Sequence, residues 1–153
     1  MASYNRWMNE RLYALCASLP DAERKRDRGA FFESIHGTLN HILLGDRIWL
    51  GRFVGRPIAV VSMDQELYSD FSELRAERER SDREIASWAA SLTADALGRS
   101  LEYGSSRRPL WLAVVHFFNH QTHHRGQLTT LLSQIGIDPG VTDLIALPEL
   151  AAG

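Results

Sequence analysis

The sequence is poor in cysteine, in long apolar runs and in net charge, and each absence excludes a class of protein. Its 153 residues include one cysteine, so no disulfide can form within the chain. No segment approaches the roughly 18 consecutive apolar residues of a membrane helix, and the opening residues 1–6 lack the apolar stretch of a secretory signal peptide. A formal net charge of -2 argues against a general nucleic-acid binder. We therefore expect one cytoplasmic domain over residues 1–153, with no nucleic-acid or membrane partner.

Several catalytic signatures are missing as well. The chain has no Gly-x-Ser-x-Gly elbow, no phosphate-binding glycine loop and no Cys-x-x-Cys pair. The segment from His120 to His124 fits the His-x-x-x-His frame of zincin metallopeptidases, but Gln121 stands where those enzymes carry a glutamate general base. An amide cannot accept a proton from water as a carboxylate does, so the sequence argues against a metallopeptidase.

Apolar residues recur at helical spacing in four segments. Bounded by turn and capping residues, the predicted helices run over about Ser3 to Leu19, Ala30 to Phe53, Asp64 to Leu92, and Pro109 to Ile135. Residues 21–29 are expected to form a surface loop, residues 93–109 an irregular segment or short hairpin, and residues 141–153 a partly apolar tail. The connection over residues 54–63 is long enough to travel along a bundle. This pattern predicts an all-α four-helix bundle with a long crossover connection.

The last predicted helix contains four of the six histidines. On a helical wheel His124 lies inside the apolar stripe and His120 lies near its edge, whereas His116 and His123 fall toward the boundary. Two imidazoles one turn apart on a buried face need polar partners, and a metal ion bound by both nitrogens would supply them. His120 and His124 are therefore the predicted metal ligands of this helix. The alternative is a pair of core histidines satisfied by hydrogen bonds.

A third ligand is expected from the second predicted helix, which carries the two remaining histidines, His36 and His41. They are five residues apart, so about 140° of rotation separates them and at most one can serve a given site. Both lie at margins of the apolar sector of their helix. The wheel therefore leaves the choice between them open.

Four segments together resemble the DinB family of DinB/YfiT-like metalloenzymes. They are Tyr4 to Arg11, Asn40 to Leu50, Asn119 to Gln127, and Gly136 to Leu144. The resemblance implies a four-helix bundle, commonly a homodimer, in which one histidine of the second helix and two of the last hold a divalent metal. Carried onto this chain, the implied ligands are His41, His120 and His124.

Three imidazoles with open positions form a catalytic type of site, since structural zinc sites usually have four protein ligands. Nitrogen ligands do not select one ion, so zinc or nickel is expected first, with iron or manganese as alternatives. We expect a metal-dependent enzyme, with transfer of a low-molecular-weight thiol to a small-molecule substrate as the leading hypothesis. The alternatives are a metal-dependent hydrolase and a non-catalytic, stress-associated metal-binding bundle.

Other side chains near these histidines have expected roles in support of the site. Polar residues that could orient an imidazole or bound water are Asp46, Asn119, His123 and Gln127.

Trp111 and Phe118 lie beyond the main apolar stripe of the last helix and are predicted to form a dimer contact. Cys16 lies on an apolar helix face and is expected to be a small buried hydrophobe without a redox role.

Overall fold

Four long helices make up most of the computed structural model, which describes residues 1–150. They are α1 (Ala2–Ala17), α3 (Ile35–Phe53), α4 (Phe71–Ala90) and α6 (Leu110–Gln134). Helix α1 packs against α4 and α6, and α3 packs against the same two helices. Each long helix therefore contacts two others, and the predominantly helical prediction is confirmed. Within residues 1–150, no helix combines the length and apolar character needed to span a membrane.

Shorter elements occupy the connections between these helices. Helix α2 (Asp21–Lys25) lies in the predicted first loop, and α5 (Ala94–Gly98) follows α4. Strands β1 (Ser100–Tyr103) and β2 (Ser106–Pro109) pair antiparallel around a turn in which Gly104 has a φ of 57°. The hairpin indicated by the sequence is therefore present. The all-α class needs correction, because the chain is mostly helical with a small two-stranded sheet.

Helix α3 begins at Ile35, five residues later than predicted. The hydroxyl of Ser34 accepts a hydrogen bond from an amide of the first turn, which satisfies a donor that a helix start leaves unpaired. Just before it, Glu33 has a φ of 61°, a conformation that a regular helix cannot include. Phe31 continues the apolar pattern of the predicted helix, but it lies in the turn before α3 and is 84% exposed.

Helix α4 begins at Phe71 rather than near Asp64. The carboxylate of Asp70 caps it by accepting a hydrogen bond of 2.9 Å from the amide of Glu73. The connection between α3 and α4 is therefore longer than predicted, and its end is tied back to α3. The carboxamide oxygen of Asn40 accepts hydrogen bonds from the amides of Leu67 (2.8 Å) and Tyr68 (3.0 Å).

The main apolar core lies between α1, α3, α4 and α6. Its fully buried side chains include Met8, Leu12, Leu39, Leu43, Leu74, Leu128 and Leu132. Cys16 belongs to this core with no exposed surface, as expected, and burial raises the pKa of its thiol to about 12. The described part of the tail, residues 141–150, contains two short 3-10 turns, and residues 151–153 lie outside the described residues.

A second, smaller apolar cluster surrounds Phe117 and Phe118. The rings of Phe53 and Trp88 stack there at 4.5 Å and nearly parallel. Phe118 is only 7% exposed, so the chain itself covers the side chain that the helical wheel had assigned to a dimer contact. Trp111, the other residue of that prediction, is 50% exposed.

Candidate metal centre

Three imidazole nitrogens converge where α3 packs against α6. The Nε2 atom of His124 lies 3.1 Å from Nε2 of His41 and 3.1 Å from Nε2 of His120. The ligand atoms of all three histidines lie within 4.8 Å of one another. Nitrogen ligands bind zinc at about 2.0–2.1 Å, so two ligands of one ion are separated by about 3 Å. The spacing in this cluster therefore fits a single metal ion.

The ring of His41 is fixed by its other nitrogen. Nδ1 lies 2.9 Å from the backbone carbonyl of Met63, in the α3–α4 connection. A carbonyl oxygen can only accept, so Nδ1 carries the proton and Nε2 presents a lone pair to the centre. Phe32 stacks on this imidazole at 3.7 Å and meets His124 edge-on at 5.5 Å. The turn before α3 therefore covers one side of the centre with an aromatic ring.

His124 is oriented in a similar way from within its own helix. Its Nδ1 lies 2.8 Å from the carboxamide oxygen of Gln127. With Nδ1 donating to that oxygen, Nε2 is left unprotonated and faces the other two histidines. Gln127 therefore orients the ring of a candidate ligand.

His120 fits against α3 because residue 45 has no side chain. A Cβ atom at Gly45 would lie 2.8 Å from Cε1 of His120 and 3.3 Å from its Nδ1. Gly45 follows His41 by one helical turn, so one candidate ligand and the space for another lie on the same face of α3. The glycine is needed for close approach of the ring.

The electrostatics of the centre favour neutral imidazoles. Burial, together with the neighbouring histidines, lowers the pKa of His120 to about 3. Burial also lowers the pKa values of His41 and His124, although a hydrogen bond to each ring opposes the shift. All three rings are therefore neutral at pH 7, as a metal ligand must be. This set of nitrogen donors suits zinc, nickel or iron.

The other histidines and polar residues considered for the site are not part of the three-imidazole cluster. His36 is buried on another side of α3, where its Nε2 lies 2.9 Å from the carbonyl of Tyr68, so α3 contributes only His41 to the cluster. Asn119 and His123 are exposed on α6, and the ring of His123 packs against that of His124 at 4.8 Å. Exposed His116 lies 5.9 Å from His120, ring to ring.

Asp46 is part of a buried polar network rather than a partner of an imidazole. The buried polar network comprises Asn9, Asp46, Arg78, Asp82 and Gln121. Asp46 accepts a 2.6 Å hydrogen bond from Gln121 and an ion-paired one from Arg78. Arg78 lies 3.0 Å from Asp82, which in turn accepts a hydrogen bond from Asn9 at 2.9 Å. All four long helices are thereby joined next to His120.

The network is not evident from the sequence, because Arg78 and Asp82 belong to a run of mixed charges over residues 75–84 of a kind typical of a solvated helix face. Arg78 and Asp82 are instead 2% and 3% exposed. Their positions contained a usable signal. Arg78 and Asp82 lie between Leu74 and Ile85 at spacings of three and four, on the apolar stripe of the helix. Charges on such a stripe indicate buried pairing.

The packed helices and converging imidazoles define a helical protein with a candidate metal centre. A family model described as "DinB family" matches residues 1–152, and the chain belongs to the DinB family. Protein DinB of Bacillus subtilis (strain 168) is 26% identical over 149 residues, which cover 92% of this chain and 87% of that protein. A crystal structure of a DinB-like protein from Bacillus cereus ATCC 10987 superimposes with a TM-score of 0.69 at 18% identity, covering 88% of this chain and 91% of the other. The family resemblance and the DinB-like fold are thus confirmed.

Proposed function

We propose that His41, His120 and His124 hold a divalent metal ion and that the chain is a metal-dependent enzyme, with thiol-dependent transfer as its reaction. In this proposal the four long helices form one four-helix-bundle domain. The observation that carries it is the convergence of three Nε2 atoms, two of which are fixed by hydrogen bonds to the opposite ring nitrogen. Zinc or nickel is the expected ion, with iron or manganese as alternatives.

A bound divalent ion supplies a Lewis acid that lowers the pKa of a low-molecular-weight thiol and makes the thiolate available for attack on an electrophile. The chain contributes the geometry. His41 and His124 hold their lone pairs toward the centre, and Gly45 leaves room for His120. Phe32 covers two of the rings and limits access of water from that side.

Thiol chemistry is favoured over hydrolysis because of the state of the nearby carboxylate. A hydrolase that activates water needs an acceptor for the proton of that water. The carboxylate of Asp46 is engaged by Arg78 and Gln121 and is 1% exposed, so it is not free for this role. A metal-bound thiol would lose its proton to solvent at neutral pH because coordination lowers its pKa, and the thiolate would then attack an electrophile without a protein base.

The test is elemental analysis of untagged protein, combined with transferase assays that use glutathione, bacillithiol and mycothiol against a panel of electrophiles. We expect one divalent ion per chain in the wild type and in Thr130→Ala, a change at an exposed residue of the same helix. His41→Ala and His120→Ala are expected to lose both the ion and turnover. Absence of metal from every protein would overturn the proposal.

A different pattern would support a non-catalytic role. Such a role would show as a bound ion whose removal by a chelator strongly lowers Tm, together with no turnover of any thiol. The metal would then stabilise the fold without catalysis. Hydrolysis of an ester panel by the metal-loaded protein would favour the hydrolase alternative instead.

We also propose that two copies of the chain form a homodimer through α6. Support comes from Trp111 and Val115, apolar side chains one turn apart on α6 that are 50% and 58% exposed. Analytical ultracentrifugation at micromolar concentration tests this. A monomer, or a dimer unaffected by Trp111→Asp, would contradict the proposed contact.

A further inference from the structure

A cavity of about 300 Å³ lies beside the metal centre, between α3, the hairpin and the start of α6. This aromatic cavity is lined mainly by Trp49, Leu101, Tyr103, Arg108, Leu112 and His116. Its volume is at the lower end of the range for small-molecule sites, about 300–1,000 Å³. None of the residues of the proposed thiol chemistry forms its wall, so its composition must be explained separately.

Two stacked aromatic rings form part of the apolar wall of the aromatic cavity. The rings of Trp49 and Tyr103 stack at 5.3 Å with an angle of 6° between their planes. Tyr103 and Leu112 remain 44% and 41% exposed, which leaves apolar surface in contact with water. A planar apolar group placed there would cover this surface and gain from its burial.

The charges at the aromatic cavity are positive. Arg108 lines it, and the guanidinium of Arg52 lies 4.8 Å and 4.9 Å from the ring centres of Trp49 and Tyr103. Among residues 1–150, neither arginine has a carboxylate within ion-pair distance, whereas Arg107 on the same strand pairs with Glu102 at 2.6 Å. Arg108 donates one hydrogen bond of 2.9 Å to the backbone carbonyl of Arg107. A guanidinium without a carboxylate partner is suited to bind a ligand carboxylate through its remaining donors, often by two hydrogen bonds.

One histidine lies between the aromatic cavity and the three imidazoles. The ring of His116 lies 4.9 Å from Trp49 and 5.9 Å from His120. A larger cavity between α1, α6 and the tail contacts none of these rings. A molecule held in the aromatic cavity would therefore lie against His116, one ring away from His120.

We propose that the aromatic cavity is a substrate subsite for a small aromatic carboxylate, whose planar body lies on Trp49 and whose carboxylate binds Arg108. Its relevance to turnover rests on the proposed metal-dependent function. Binding itself does not, because no metal ligand lines the cavity. The electrophile of the reaction would accordingly be an acid with a conjugated ring or side chain.

The test measures binding of 2-naphthoate to the full chain by titration calorimetry, with neutral 2-naphthamide as the comparison ligand. We expect 2-naphthoate to bind the wild type and Arg107→Gln equally. Arg108→Gln is expected to bind it at least about tenfold more weakly, because a charge-assisted hydrogen bond is lost. The amide is expected to bind all three proteins as weakly as 2-naphthoate binds Arg108→Gln. Arg107 and Arg108 are both exposed strand residues, so neither change should disturb folding, which circular dichroism checks.

This inference would be overturned by an absence of 2-naphthoate binding, by equal losses in Arg107→Gln and Arg108→Gln, or by equal affinity for acid and amide. A second copy of the chain covering the cavity would show as a dimer that excludes the probe, and this also counts against it. His120→Ala separates the two proposals. We expect that variant to lose metal yet keep 2-naphthoate binding. Probe binding without any metal in the wild type would refute only the proposed function.

Discussion

Replacing Gly45 by alanine is expected to weaken metal binding while leaving the protein folded. The added Cβ would lie 2.8 Å from Cε1 of His120, and ordinary contact begins at 3.4 Å, so the imidazole must move by about 0.6 Å. Metal-ligand distances tolerate changes of about 0.2 Å. His120 therefore cannot keep its place beside His41 and His124 in the variant.

The expected magnitudes differ for binding and for folding. Misplacing a ligand is expected to weaken metal affinity by more than the roughly 10–100-fold seen when only a supporting residue is lost. For the metal-free protein, overpacking costs about 1–3 kcal/mol, and alanine recovers about 0.5–1 kcal/mol of helix preference over glycine. Because the imidazole that Cβ meets is a side chain able to rotate, we expect the net cost to fall at the low end.

The assay is competition with a chromophoric chelator for zinc, paired with thermal unfolding of the metal-free protein. Gly126→Ala is the matched control, since an added Cβ there meets no atom within 4 Å. The control is expected to bind zinc as the wild type does. Wild-type affinity in Gly45→Ala would refute the assignment of His120 as a ligand in this geometry.

Three further predictions concern Gln127, the buried polar network and Cys16. Gln127→Ala is expected to lower metal affinity about 10–100-fold by releasing the ring of His124, whereas Gln127→Glu keeps an acceptor and is expected to lose less; chelator competition measures both. Arg78→Met leaves two buried carboxylates unpaired and is expected to cost about 3–5 kcal/mol in urea unfolding. Arg80→Met, which breaks only exposed pairs, is expected to cost about 0–1 kcal/mol, and equal costs would contradict the buried assignment. Because burial raises the pKa of Cys16 to about 12, a disulfide reagent at pH 8 is expected to modify it only after unfolding; reaction with the folded protein would show that it is accessible.

The four long helices could be predicted because apolar spacing is a local property of the chain. The first residues of α3 and α4 could not be placed from that spacing, since Ser34 and Asp70 set the starts of these helices through side-chain caps. Apolar residues such as Phe31 continue the periodic pattern beyond the cap, although the backbone there has left the helix. At both boundaries the capping residue, and not the apolar periodicity, marks the start of the helix.

The candidate site was only partly predictable for a related reason. His120 and His124 share a helix face, which the wheel describes, but their relation to His41 depends on how α3 packs against α6. That packing is non-local, and the family resemblance supplied the choice that the wheel left open. The burial of Arg78 is likewise a product of packing, because a charged residue with one partner on another helix and one on its own differs little in sequence from a solvated one.

Two adjacent residues of α3 engage two adjacent residues of α6. Gly45 receives the ring of His120, and Asp46 binds the carboxamide of Gln121. One contact depends on shape and the other on hydrogen bonding, so sliding either helix along the other by one turn would break both. Neither contact involves an ion. The spacing of the three imidazoles is therefore set by the register of the helices, and metal uptake is expected to proceed with little rearrangement and little loss of conformational entropy.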